Sequence, residues 1–242
     1  MLYGDYHTHS IYSKDAKSTI TDNVNTAIDK GLKEIACSEH GYFHMYGMKP
    51  ADFESQIREV ERINAGTTIR VLKAVEANLI DQSGKIDIPR NMQDKLDIVI
   101  LGYHKSSGAG FFDKRRHAKM RKLTPKNIEL NTYAYIKALQ ANPKIAIVAH
   151  PNYACPVDCV RLAKFCKEHN IFFELNGRKH CIDDKTFRQV VDTGVMFILD
   201  SDAHIATNVG NVRLGLTIAE KFDIPENQIA NLNKVPNFDK RC

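Results

Sequence analysis

The chain carries Asp5-Tyr6-His7-Thr8-His9 near its start and Asp200-Ser201-Asp202-Ala203-His204 near its end. In each segment two metal-binding side chains stand at i and i+2. On a β-strand that spacing puts both on one face, with Thr8 or Ala203 on the other. The two pairs read as the first and last strands of one site. Imidazole combined with carboxylate suits zinc, manganese or iron rather than a structural thiolate site.

Between these segments a pattern repeats: a short apolar β-like run, a polar turn, then a helix-like stretch. Strands are predicted over residues 2–7, 34–38, 69–75, 97–102, 145–149, 171–175 and 195–199. Helices are predicted over 21–30, capped by Thr21 or Asp22 and ended by Gly31, and over 50–64, where Phe53, Ile57, Val60 and Ile63 recur at helical spacing. Further helices are predicted over 124–140, opened by Pro125, and over 157–169, 184–193 and 212–222. Successive β-α units imply a parallel α/β sheet with helical crossovers. Matching ligand pairs on the first and last strands favour closure, because in a barrel those strands become neighbours.

Bulk properties bound the function. A chain of 242 residues fits one large domain or two small ones. With 43% hydrophobic and 26% charged residues, it is neither disordered nor collagen-like. No apolar run approaches the roughly 18 residues that span a bilayer. Asp5 interrupts the N-terminal stretch, so neither a membrane partner nor a signal peptide is expected, and the expected location is cytoplasmic. Six cysteines, Cys37, Cys155, Cys159, Cys166, Cys181 and Cys242, read as reduced thiols, and Cys155 with Cys159 lacks the second pair of a zinc knuckle. The net charge is +5, yet residues 114–122 hold six Lys/Arg and no acid, which leaves −1 for the rest. Basicity this local argues against a general nucleic-acid binder. The stretch reads as a solvated loop, with a phosphate-attracting rim as the alternative.

The chemically capable residues fall at the downstream ends of the predicted strands. The first gives His7 and His9, with Asp15 beyond; the second gives Glu39 and His40; the third, Glu76. The fourth gives His104, the fifth His150, and the seventh Asp202 and His204. That placement takes in six of the ten histidines, and α/β barrels build their active sites from those strand ends. No Ser-His-Asp order, phosphate-cradling P-loop or dinucleotide-binding glycine fingerprint occurs.

His7-Thr8-His9-Ser10 with Ser13 and Asp15, Ser38-Glu39-His40, Glu76, Gly102-Tyr103-His104, Ala149-His150-Pro151 and Ser201-Asp202-Ala203-His204 together resemble the motif series of the PHP (polymerase and histidinol phosphatase) superfamily. The length, the Asn131-Thr132 helix and Phe173-Glu174-Leu175-Asn176 look most like its compact, free-standing YcdX-like and histidinol-phosphatase-like branches. The resemblance implies a distorted seven-stranded (β/α)7 TIM-like barrel, a single PHP domain over 1–242, and three divalent metal ions (Zn, Mn or Fe). Carried over by motif, His7, His9, Glu76 and Asp202 hold the first metal. Glu76, His104 and His150 hold the second, and Asp15, His40 and His204 the third. Asp15 stands where YcdX-like chains usually have histidine, and that harder ligand biases the third site toward manganese or iron. Lys105 stands where glutamate is common, which suits an anionic substrate.

The implied activity is a metal-dependent phosphoesterase that hydrolyses small phosphomonoesters with a metal-activated hydroxide. Glu76, Asp202 and His204 are its candidate catalytic groups, although as ligands Asp202 and His204 are limited as free acids. Arg178 and Lys105 are candidate phosphate-binding residues. His44 and His180 are placed at the pocket mouth. Tyr42, Phe43 and Tyr46 form either an aromatic lip or packing on the barrel rim. A phosphodiesterase or exonuclease acting on nucleotides, and a non-catalytic metal-binding module, are the alternatives. The expected partner is a small phosphorylated substrate, with nucleic acid not favoured, and the expected state is a monomer or small homo-oligomer.

Overall fold

Ile98-Val99-Ile100-Leu101 is apolar at every position, the mark of a strand covered on both faces, and all four side chains are buried. In the computed structural model, which describes residues 1–105 and 118–238, this run forms most of the fourth of seven strands. They are β1 (Gly4–Thr8), β2 (Glu34–His40), β3 (Arg70–Asn78), β4 (Ile98–Gly102), β5 (Ile145–Val148), β6 (Phe172–Asn176) and β7 (Phe197–Asp200). They form one sheet in chain order, each pair of neighbours parallel. Helices α1 (Ile20–Asp29), α2 (Phe53–Asn64), α3 (Arg90–Gln93), α4 (Pro125–Ala141), α5 (Cys159–Glu168) and α6 (Asp184–Asp192) lie in the crossovers, and α7 (Arg213–Lys221) follows β7.

Alternate side chains of each strand serve two cores. One set, including Val99, Leu101, Phe173, Leu175, Phe197 and Leu199, packs against helical residues such as Phe53, Ala138, Leu162 and Phe187. The other set fills the barrel interior: Tyr6, Ala36, Leu72, Ala74, Ile98, Ile100, Ala146 and Ile198. Small alanines beside larger residues match the narrow bore of a seven-stranded barrel. Phe238 meets the edges of Tyr6 and Phe172 at the opposite end from the strand-end histidines. The thiols Cys155, Cys159 and Cys166 lie buried in the outer layer.

The sheet is nearly closed between β1 and β7. A bridge joins Thr8 to Ala203, with His9 N–H donating to Ala203 O at 2.8 Å. Elsewhere along this seam side chains replace the backbone ladder. Asp200 Oδ1 accepts from Tyr6 N–H at 2.7 Å, and Asp5 accepts from Ser201 N–H and Gly210 N–H. Buried Asn231 donates to both Gly4 O and Leu199 O and accepts from Leu199 N–H. The barrel is therefore distorted at its closure.

Element boundaries differ from the sequence prediction in a few places. Helix α1 is capped by Thr19, not by Thr21 or Asp22. The Thr19 side chain accepts from Asp22 N–H, and the Asp22 carboxylate accepts from Thr19 N–H, a reciprocal capping box. The short helix α3 was not predicted. Of the basic stretch 114–122, positions 114–117 lie outside the described residues. Among the described residues no helix is long and apolar enough to cross a membrane.

Candidate metal centre

Glu76 sits on the inward face of β3, and the histidines gather around its carboxylate. Oε1 lies 2.8 Å from His150 Nε2 and 3.3 Å from His104 Nε2. Oε2 lies 2.7 Å from His40 Nδ1, 3.4 Å from His7 Nε2 and 3.8 Å from His9 Nε2. His9 Nε2 is 3.7 Å from Asp202 Oδ1. Asp15 Oδ2 is 3.5 Å from both His40 Nε2 and His204 Nε2. The nine side chains predicted as ligands thus meet in one cluster, contributed by β1, β2, β3 and the segments after β1, β4, β5 and β7. Gly102 on β4 leaves room for it. A Cβ there would stand 2.7 Å from Glu76 Oε1 and 3.1 Å from His150 Cε1.

A second layer orients the imidazoles. His7 Nδ1 is bonded to Glu174 Oε1 at 2.6 Å, and His104 Nδ1 to Asn78 Oδ1 at 2.7 Å. Each bond fixes a tautomer and leaves Nε2 facing the cluster. Glu39 does not enter the cluster. It accepts from Ser10 and Ser13, and Ser13 Oγ accepts from His40 N–H, which ties the Asp15 loop to β2. His150 and Asp202 hold positive φ angles of 26° and 53°, a conformation disfavoured for side chains other than glycine and maintained only by surrounding contacts. The contacts here are Glu174, which accepts from His150 N–H, and Arg178 Nη1, which donates to Asp202 O at 3.0 Å.

The electrostatics follow from burial opposed by charge. Burial alone would raise Glu76, but His104, His7, His150 and His40 hold its carboxyl well below the usual range. Asp202 is likewise held down against burial by His7, His9 and Lys179. Burial works to depress His7, and the carboxylates of Glu76, Glu174 and Asp202 outweigh it and raise this group. His9 is depressed by burial and by its neighbour His40. His40 is pushed up to about 9, burial being overcome by Asp15 and Glu76.

This donor set fits divalent cations. His7 Nε2, both ring nitrogens of His9, His40 Nε2 and Asp15 Oδ1 are buried without a hydrogen-bond partner, and such orphaned groups are costly unless a cation meets them. Ligand atoms of His7, His9 and Glu76 lie within 4.8 Å of one another, as do those of Glu76, His104 and His150. Other compact groups cut across the three expected sets: His7 with His150 and Asp202, and His9 with His40 and His204.

Several residues stand differently from expectation. His44 is drawn into the cluster, its ring 4.0 Å from that of His40 and 4.5 Å from that of His104. His180 instead packs edge-on against Phe187. Tyr42 is half-buried with its hydroxyl on Met92 Sδ, whereas Tyr46 is exposed. Arg178 reaches the cluster, its Nη1 2.8 Å from His204 Nδ1 and 3.3 Å from Asp202 Oδ1. Lys105 does not; its ammonium lies over the ring of Tyr153. Gly102 and Glu174 stand in motifs singled out in the sequence but were given no role there; the residues missed outright are Asn78 and Lys179, whose Nζ donates to Asp202 Oδ2 at 2.6 Å. Asn78 was findable, two positions beyond Glu76 on one strand face.

A parallel barrel with carboxylates and imidazoles convergent at its strand ends defines a metallohydrolase-like architecture. The sequence profile described as PHP domain matches residues 5–178, and the chain belongs to that family. Among its relatives is a protein of Caldanaerobacter subterraneus subsp. tengcongensis described as a probable phosphatase, 31% identical over 97% of this chain and 89% of the relative. Another, from Acetivibrio thermocellus and described likewise, is 30% identical over 98% of this chain and 93% of the relative. In fold the chain is similar to the histidinol phosphate phosphatase of Lactococcus lactis subsp. lactis, solved with zinc, L-histidinol and phosphate. That match has a TM-score of 0.58 at 17% identity and covers 92% of this chain and 94% of that one.

Proposed function

We propose that this chain is a metal-dependent phosphatase that hydrolyses phosphomonoesters of small molecules at a centre of three divalent metal ions. The observation that carries the reading is the convergence of nine imidazole and carboxylate side chains, Glu76 at their middle, several with buried ligand atoms that nothing else partners. Relatives described as probable phosphatases support it, and so does a fold shared with a phosphatase that binds zinc and phosphate. His7, His9, Glu76 and Asp202 would hold the first ion, Glu76, His104 and His150 the second, and Asp15, His40 and His204 the third. Such ions lower the pKa of water and offset the charge of phosphoryl oxygens.

The chain's own residues do the rest. Glu174 and Asn78 hold the rings of His7 and His104 in position. Arg178, with a half-exposed guanidinium beside Asp202 and His204, is placed to grip a phosphoryl oxygen arriving at the centre. The carboxylate of Asp15 supplies an oxygen donor suited to manganese or iron. His9→Ala and Glu76→Ala should each lose bound metal and at least about 100-fold in rate on a phosphomonoester, because mutation of even outer-shell partners costs 10–100-fold. Metal analysis by mass spectrometry beside steady-state kinetics checks this. A variant that keeps its full rate would sink the assignment.

A further inference from the structure

The loops after β4, β5 and β6 are neighbours on the rim because their strands are neighbours in the sheet. Lys105 follows β4, Tyr153 follows β5 and Lys179 follows β6. The three side chains meet. Lys105 Nζ lies 5.4 Å from the centroid of the Tyr153 ring and Lys179 Nζ lies 5.0 Å from it. The same ring stands edge-on to His150, with centroids 5.4 Å apart. The trio therefore abuts the candidate metal centre.

The backbone that presents Tyr153 is held in a disfavoured form. Asn152 and Ala154, on either side of it, have φ angles of 68° and 58°, a left-handed conformation that asparagine tolerates and that is disfavoured for alanine. Asn152 ties the loop down, its Nδ2 donating to Cys181 O at 2.7 Å and its Oδ1 accepting from Val157 N–H at 3.2 Å. Strain of this kind persists where surrounding contacts impose it, and it clusters at binding sites. Here the conformation stands an aromatic ring beside two ammonium groups.

Among the described residues the charge at this place is only partly compensated. Asp202 answers both Lys179 and Arg178. Lys105 is exposed, and among the described residues no carboxylate lies within ion-pair reach of it. The π face of one tyrosine offsets an exposed ammonium only weakly. Neither Lys105 nor Tyr153 is needed to hold metal. We infer that Lys105, Tyr153 and Lys179 form a subsite for a second anionic group of the substrate, a carboxylate or a further phosphate carried on the leaving group. Lys105 then sets specificity beside the centre instead of gripping the phosphoryl group that is hydrolysed. This inference rests on the phosphatase reading of the adjacent centre.

Two measurements on the manganese-loaded protein test it. Calorimetry compares binding of phenylphosphonate with that of 4-carboxyphenylphosphonate, and kinetics compares phenyl phosphate with 4-carboxyphenyl phosphate. The carboxylated member of each pair is expected to bind and react at least about ten-fold better, with the advantage shrinking as salt rises. In Lys105→Gln and in Tyr153→Leu the advantage should fall to less than about three-fold. Equal behaviour of the two members in the wild type, or a full advantage retained in Lys105→Gln, overturns the subsite. A binding preference without turnover supports the subsite and overturns the phosphatase reading, whereas turnover without preference does the reverse.

Discussion

Gly102 contributes no side chain, and the centre depends on that. A methyl group there would press on Glu76 Oε1 and His150 Cε1, both movable side-chain atoms, so the fold tolerates the change better than the site does. Gly102→Ala should lower metal affinity and phosphatase rate by about 10- to 100-fold, the range for disturbed outer-shell partners, with little shift in melting temperature. Metal titration beside thermal unfolding checks this; undiminished metal affinity would contradict it. Asp87 supplies a pH test away from the ligands. Burial pushes its carboxyl up to about 6, against the hydrogen bonds it accepts from Phe43 and Asn78. The folded protein thus keeps a proton that the unfolded chain releases near 3.8. The contribution is complete below that value and lost as pH rises through about 6. The stability of the wild type relative to Asp87→Asn should fall by about 2 kcal/mol between pH 4 and pH 7, from 1.36 kcal/mol per unit less the part already lost at pH 4. Urea unfolding of the metal-free proteins measures it, and a flat difference would contradict the assignment. His7, His9, Asp202 and His204 were readable because i, i+2 spacing on a strand is a local signal, and Asp15, His40, Glu76, His104 and His150 because they fall at or just beyond predicted strand ends. The roles of Gly102, Glu174 and Lys179 were not, since each acts through a contact with residues distant in sequence.

Among the elements, the β1–β7 seam separates what periodicity reveals from what it hides. Apolar runs located all seven strands, and matched ligand pairs on the first and last predicted that these would meet. How they meet is settled by Asp5, Asp200 and Asn231, polar residues whose role is invisible until both strands are in place. Asn231 satisfies two buried carbonyls and one buried N–H across the seam. Asn231→Ala should therefore destabilise the protein by about 2–4 kcal/mol, because unsatisfied buried groups cost about 1–3 kcal/mol each with partial relief by relaxation. Equilibrium denaturation checks this, and a loss below about 0.5 kcal/mol would mean that the seam closes without it. The start of α1 was misplaced for a different reason. Thr21 and Asp22 are good capping types, but Thr19 with Asp22 three positions later has the reciprocal spacing, and that geometry prevails.

At the scale of the whole molecule, a parallel barrel is a device for bringing distant residues to one end. His7 and His204 stand at opposite ends of the sequence, yet His9 and His204 have ring centroids 4.4 Å apart. Closure creates a buried, charge-dense pocket that is unfavourable without cations and well matched to phosphoryl groups once they are present. The rim around it is uneven: Lys105, Arg178 and Lys179 stand on the side of β4 to β6, while exposed Ile11, Met45, Tyr46 and Ile205 follow β1, β2 and β7. Strand-end chemistry was readable from the sequence, whereas rim chemistry depends on loop conformations that no periodicity encodes.

The most direct test of a metal-dependent phosphatase compares hydrolysis of p-nitrophenyl phosphate and bis(p-nitrophenyl) phosphate by the manganese-loaded protein, before and after chelation. Rapid cleavage of the monoester, little of the diester, and loss of activity on chelation with recovery when metal returns are expected. A preference for the diester, or monoester cleavage indifferent to metal removal, would contradict that reading.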